Sequence, residues 1–390
     1  MSTLLLILVY IAYISLGIPD ALLGAAWPAM YPELGLPISF NGLISLFMCG
    51  CTLISSLFSG SLLRRFGTSR VTVVSTALTV VGLYGYSISG SIVFLLASTV
   101  PLGLGAGAVD VCLNTYIALH CSAKHISFLH CFYGIGVSVS PYIISLALMS
   151  ETGWRGGYRV SAGLQALMLV LLFLSLPLWK GVDSADTGGD DHTRSSVRAL
   201  AGRADVRMVW LYLFACSGLE YICGFWSSTF LVNCRGLSPE IAAQYVSFFY
   251  IGLTVGRFLS GVVADKWGGW PLIHTGCILL ACGIFLLALP LPAECYFAVL
   301  LIMGLGVAPN YPNMVLLTPR NFGRDLAPAV MGTQMAAAYT GIMLAPPVFG
   351  FAAQFTGMDL FPYALALYLV LTAFSSLRLK ALARQKAPAV

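Results

Sequence analysis

Apolar residues along this chain do not alternate with polar ones; they run together in blocks of about 20, parted by short polar stretches. A helix rises ~1.5 Å per residue, so a block of that size matches the ~30 Å hydrocarbon core of a bilayer. Twelve blocks can be drawn, at 4–30, 41–63, 70–89, 91–118, 127–149, 159–179, 207–232, 240–263, 270–290, 295–316, 327–350 and 360–377. A closed strand barrel also satisfies its backbone in lipid, but its segments are short and alternating, whereas these runs are continuous. The predicted fold class is all-α integral membrane, with twelve transmembrane helices. The first block has no basic stretch ahead of it and continues past Asp20, so it reads as a retained helix rather than a cleaved leader.

The one long polar stretch, 180–206, is rich in small and charged residues and reads as a flexible linker. It leaves a six-helix unit at 1–179 and another at 207–390. The two units share their punctuation. Gly60-Ser-Leu-Leu-Arg64-Arg65-Phe-Gly67 follows the second span and Gly261-Val-Val-Ala-Asp265-Lys266-Trp-Gly268 the eighth, 201 positions later. Gly103-Leu-Gly105 and Gly304-Leu-Gly306 repeat the offset of 201, Gly136 with Pro141 matches Gly341 with Pro346 at 205, and Asp20 precedes Glu220 by 200. Four coincidences in chain order predict two pseudo-symmetric six-helix bundles, a transporter design that places the solute site between halves near the midplane.

Composition agrees with a membrane location. Charged residues make up 9% of the chain, against about 25% in soluble domains, so water cannot be the solvent for most of it. The net charge of +5 would suit nucleic acid, but its placement is topological. With twelve spans, sixteen of the twenty Lys and Arg fall on the side of the termini and only Arg155, Arg159 and Arg235 opposite, with Arg257 inside the eighth span. The positive-inside rule then places both termini in the cytoplasm of a multi-pass protein of the plasma (inner) membrane. The 11 cysteines lie mostly in apolar runs without ligand spacing, so no metal or other cofactor is expected.

The loop pattern Gly-x-x-x-Asp-Arg/Lys-x-Gly resembles the signature of the major facilitator superfamily. Its second copy is intact at Gly261, Asp265, Lys266 and Gly268, while its first carries Arg64 where the family usually has Asp. Gly17-Ile18-Pro19-Asp20 and Gly105-Ala-Gly-Ala-Val-Asp110-x-x-x-Asn114 resemble, within it, the fucose–proton symporter branch with its glucose and galactose relatives. That resemblance implies the major facilitator fold and functional acids at Asp20 and Asp110, the latter shorter than the branch's usual Glu.

Three carboxylates lie well inside the spans: Asp20, Asp110 and Glu220. Each costs roughly 2.5–3.5 kcal/mol at a bilayer centre, so each needs a reason to be there. A structural hydrogen bond is one; proton coupling is the other, with Asp20 also placed to touch solute. Asn114 lies one turn beyond Asp110 on the same face. The other groups suited to a polyhydroxylated ligand are His130 and Tyr133 in helix 5, Trp226 in helix 7, Asn310, Tyr311 and Asn313 in helix 10, and Gln334 and Tyr339 in helix 11. Pro309 and Pro312 are expected to loosen helix 10. Arg257 is read as a gate or snorkelling residue working with Asp265, and Gly60, Arg64, Arg65, Gly67, Gly261, Lys266 and Gly268 as the gating motif.

The expected function is secondary active transport of a small polar solute, a sugar or sugar-like compound, by alternating access with H⁺ as the coupling ion. Na⁺ coupling, efflux of amphipathic compounds, and a membrane sensor or lipid-moving protein are the alternatives. No phosphate loop, HExxH motif or Ser/Lys dyad is present, so ATP-driven transport and intramembrane enzymology are not expected. The expected partners are the solute and the bilayer, with no nucleic acid, and the chain is taken as a monomer.

Overall fold

A computed structural model describes residues 3–120, 123–179, 197–323 and 326–386. Among these residues there is no strand, and twelve long helices carry the fold. They are α1 (Thr3–Glu33), α2 (Phe40–Phe66), α3 (Thr68–Ser87), α4 (Ile92–His120), α5 (Ala123–Leu148) and α6 (Gly153–Leu174). After them come α7 (Ala204–Arg235), α8 (Pro239–Trp267), α9 (Gly269–Ala288), α10 in two segments (Tyr296–Val307 and Asn310–Phe322), α11 (Ala327–Thr356) and α12 (Phe361–Lys386).

Eleven of the twelve are long and apolar enough to cross a membrane; α3 is the exception. Its hydroxyls explain the difference. Thr72 and Thr76 bond back to the carbonyls of Thr68 and Thr72 at 2.8 and 2.9 Å, and Thr79 to that of Thr76 at 2.8 Å. A hydroxyl satisfied on its own helix can be buried without an outside partner, and α3 is packed between α4 and α6.

Several boundaries differ from the apolar pattern. The sixth span starts at Gly153 rather than 159 and ends in a 3₁₀ turn, Leu176–Trp179. Arg155 and Arg159, expected in loops, therefore lie in the first turns of α6. Arg155 bonds Glu33 at the end of α1 and the Ser89 carbonyl, the latter at 2.9 Å. Residues 180–196 of the expected linker lie outside the described residues. Its remainder is ordered as a short helix, Val197–Ala201, that buries Leu200 with Val206, Val209 and Leu379. Arg203 grips Asp205 through Nε and Nη2 at 3.2 and 2.9 Å, and the same Asp205 carboxylate accepts the Val206 amide at the first turn of α7.

The chain forms two compact units, Met1–Gly189 with Gly236–Ser247, and Asp190–Arg235 with Phe248–Val390. Inside each, the same contacts recur. A side chain on Gly103 would strike the Met48 carbonyl and the Thr52 amide; one on Gly304 would strike those of Phe249 and Leu253, each 201 positions on. Gly105 lies against Ser75 and Thr79, and Gly306 against Gly276 and Leu280. Gly136 touches the Ile14 carbonyl and Gly17, and Gly341 the Phe214 carbonyl and Gly218. Lipid offers apolar helices no hydrophobic reason to associate, so backbone-to-backbone approach at small residues supplies much of the packing.

Left-handed glycines at the turns repeat as well. Gly35 and Gly236 have φ of 61° and 67°, Gly67 and Gly268 79° and 77°, and Gly153 and Gly357 56° and 88°. The repeat read from sequence is thus a repeat of backbone conformation and of interhelical contact.

Gly105→Ala and Gly306→Ala are expected to destabilise by about 1–3 kcal/mol each through overpacking. At Gly60 a methyl meets only Arg64 Nη1 at 3.7 Å, and at Gly261 nothing within 4 Å. Alanine there is expected to be neutral or to stabilise by up to ~1 kcal/mol through helix propensity. Chemical denaturation of the four purified variants checks the opposite signs.

Candidate functional site

Helix α1 carries Tyr10, Tyr13, Gly17 and Asp20 at intervals of three and four, one stripe along the helix. Gly17 and Gly136 let α1 and α5 touch backbone to backbone. That approach brings the Tyr133 hydroxyl of α5 onto Asp20, where it donates to Oδ2. Asp110, on α4, accepts the Asn114 amide one turn away at 2.9 Å and the Tyr13 hydroxyl at 3.5 Å. Both acids are half-buried and lie within electrostatic reach of one another. Among the described residues neither has a cation within 4.0 Å.

The stripe continues below Tyr13. Tyr10 stacks on Phe132 with ring centroids 4.9 Å apart and bonds His125 Nδ1 at 2.5 Å. His130, on the same helix α5, is exposed. A second neutral pair ties α1 to α6: Ser15 Oγ donates to Gln165 Oε1, and Gln165 Nε2 returns a bond to the Ser15 carbonyl at 2.7 Å. The pattern reading passed over Tyr10, Tyr13 and Gln165, although the spacing of the two tyrosines to Asp20 carries the signal.

The second unit treats its acid differently. Glu220, mid-way along α7, accepts from Arg257 Nη2 of α8 at 2.8 Å. This corrects the expected partnership of Arg257 with Asp265. Those two lie eight residues apart on one helix, a rise of ~12 Å, and Asp265 is exposed and has no ion pair among the described residues. Tyr311 senses the charges of Glu220 and Arg257 and also neighbours Tyr339. Its hydroxyl donates to Met335 Sδ at 2.6 Å, and Tyr339 stands 63% exposed on α11.

Four residues expected to face solute are instead consumed by packing. Trp226 is fully buried, its indole bonding the Pro346 carbonyl at 3.1 Å. Asn310 and Asn313 mend the break in α10 that Pro309 and Pro312 predict. Asn310 Nδ2 donates to the Gly306 carbonyl at 2.7 Å while its Oδ1 takes the Tyr212 hydroxyl at 3.1 Å. Asn313 Nδ2 bonds the Pro309 carbonyl and Ser260 at 2.7 and 2.8 Å. Carbonyls at a helix end inside a bilayer have no water to turn to, so side-chain amides serve them. Gln334 is buried and accepts from Thr318 at 2.9 Å.

At the repeated loops, Gly67 and Gly268 make left-handed turns that let α3 and α9 start directly. Arg64 bonds Ser61 at 3.2 Å, Arg65 lies over the Phe66 ring, and Asp265 and Lys266 are exposed. The departure at Arg64 changes the charge of the first loop without changing its backbone.

The model of the Major Facilitator Superfamily matches residues 9–346. A cis,cis-muconate transport protein of Acinetobacter baylyi is 23% identical over 83% of this chain and 80% of its own length. A proton/hexose cotransporter of Parachlorella kessleri is 26% identical over 53% of this chain and 39% of its own. A D-xylose–proton symporter superposes with a TM-score of 0.75 at 15% identity, covering 96% of each chain.

Trp226→Phe and Asn313→Leu each remove a buried bond and are expected to destabilise by about 1–3 kcal/mol. Tyr339→Phe, on an exposed position, is expected to stay within ~0.5 kcal/mol. Equal losses at all three in denaturant titrations would contradict the division drawn between packing and exposed groups.

Proposed function

Since the chain belongs to the Major Facilitator Superfamily and is a multi-pass transporter of small solutes, we propose that it moves a small uncharged polar solute, a sugar or sugar-like compound, together with H⁺. The carrying observation is that, among the described residues, the hydrogen-bond partners of Asp20 and Asp110 are neutral: a phenol, a carboxamide and a second phenol. A phenol donates to a carboxylate and accepts from a carboxylic acid, so the site keeps its bonds in either protonation state. A carboxylate locked to a guanidinium could not be protonated so cheaply. Asp20, beside Tyr133, is assigned solute contact, and Asp110 the exchanged proton.

Within their own units, half-buried Asn114 and Tyr311 and exposed His130 and Tyr339 are the groups assigned to a solute's hydroxyls and C–H faces. The named activities of the hexose and xylose transporters support the solute class. The Gly17–Asp20 and Gly105–Asn114 segments support the fucose–proton branch within it. The sixteen-to-three bias of Lys and Arg supports a cytoplasmic location for both termini; the plasma (inner) membrane and a monomeric chain belong to the same proposal.

A second reading, carriage of an organic anion, draws on the muconate relative and on Arg257. The Glu220 pairing disfavours it, because the deepest cation of the second unit is already matched.

Uptake into proteoliposomes across a panel of sugars and small acids, with and without an inward proton gradient, tests the proposal. Asp110→Asn is expected to exchange solute in counterflow yet to lose gradient-driven accumulation at least tenfold. If this variant still concentrates solute with an unchanged pH dependence, Asp110 is not the coupling site.

A further inference from the structure

Arg257 is the deepest cation in the candidate spans. It stands ten residues from the nearer end of Pro239–Trp267, while every other Lys or Arg in a span lies within six residues of an end. Among the described residues of the second unit, Glu220 is likewise the only acid in the middle of a long helix; Asp205 and Asp265 sit in terminal turns. Arg257 and Glu220 meet at 2.8 Å. Their side chains are 29% and 17% exposed, so the pair is open on one side. Charged groups in a span do not face lipid, so that opening faces a polar space. Tyr311 borders the pair, with Tyr339 beside Tyr311.

Stability alone is a poor reason for such a pair, since apolar residues of similar volume often serve a buried site as well or better. The repeat sharpens this point. The counterpart of Arg257 at the offset of 201 is Ser56, which bonds the Gly107 carbonyl, and the counterpart of Glu220 at 200 is Asp20, held by a phenol. The first unit achieves the same fold with no charge at the first position. An unmatched guanidinium on the second unit's polar face would be a ready carboxylate receptor, because its planar fork fits a carboxylate with two parallel bonds.

We infer that Glu220 determines specificity: it occupies Arg257, withdraws that positive charge from the solute, and so excludes organic anions in favour of uncharged polar solutes. This rests on the solute class proposed above but not on proton coupling, and it replaces the proton-carrying role expected for Glu220 from sequence.

The test is ligand-dependent thermal stabilisation of the purified full chain in detergent at constant ionic strength. The probes are benzoate and cis,cis-muconate as anions and D-xylose as a neutral control. Wild type is expected to show no saturable response to the anions. Glu220→Gln is expected to bind at least one of them at least tenfold more tightly than wild type, and Glu220→Gln/Arg257→Gln to lose that gain. Should Glu220→Gln fail to yield folded protein, Glu220→Asp, which withdraws the carboxylate by one methylene, is expected to give a smaller gain in the same direction. Anion binding by wild type equal to that of the variant, no gain in either variant, or a gain that survives loss of Arg257 overturns the inference. Because no gradient is involved, a failure of proton coupling would leave these outcomes untouched.

Discussion

A carboxylate inside a membrane helix must find a partner, and the way each of three acids does so organises this protein. Asp20 and Asp110 are held by hydroxyls and an amide; Glu220 is held by a guanidinium. Insertion of such a group costs a few kcal/mol wherever it sits in the bilayer centre, so the partner is a condition of folding as well as of function. The Tyr133 contact in turn depends on two glycines. With any side chain at Gly17 or Gly136, α1 and α5 would part and Asp20 would lose its phenol.

The scaffold around these acids is symmetric to the level of single atoms in contact. Glycines matched at offsets of 201 or 205 press against backbone atoms matched at 200 or 201, and matched left-handed turns reverse the chain. What differs between the units is the chemistry set upon that frame. Ser56 and Arg257 occupy one equivalent pair of positions, and Asp110 and Tyr311 another. A duplicated backbone with diverged polar residues leaves neutral partners on the acids of the first unit and a guanidinium on the acid of the second.

Much of this was legible in the sequence, because lipid imposes a simple rule on segment length and because glycine punctuation survives where backbones touch. The twelve helices, the repeat and the two acids of the first unit follow from spacing. The stripe Tyr10, Tyr13, Gly17 and Asp20 was equally legible. Partner choice was not. Nothing in periodicity tells Arg257 to reach 37 positions back to Glu220 rather than eight forward to Asp265, since that depends on how α7 and α8 pack. The amides of helix 10 misled for a related reason. A break in a membrane helix leaves orphan carbonyls, and Asn310 and Asn313 answer those before any solute can. Trp226 and Gln334 look polar-tipped in sequence, yet their neighbours, Pro346 and Thr318, engage the tips inside the unit.

The proposed function turns on whether an uncharged solute carries protons with it. The direct measurement is proton movement in liposomes loaded with a pH-sensitive dye, with no gradient imposed, as sugars or small acids are added outside. At least one uncharged sugar is expected to acidify the lumen as it enters, and protein-free vesicles to show no such signal. Entry of a labelled sugar with no accompanying proton would contradict the proposed function.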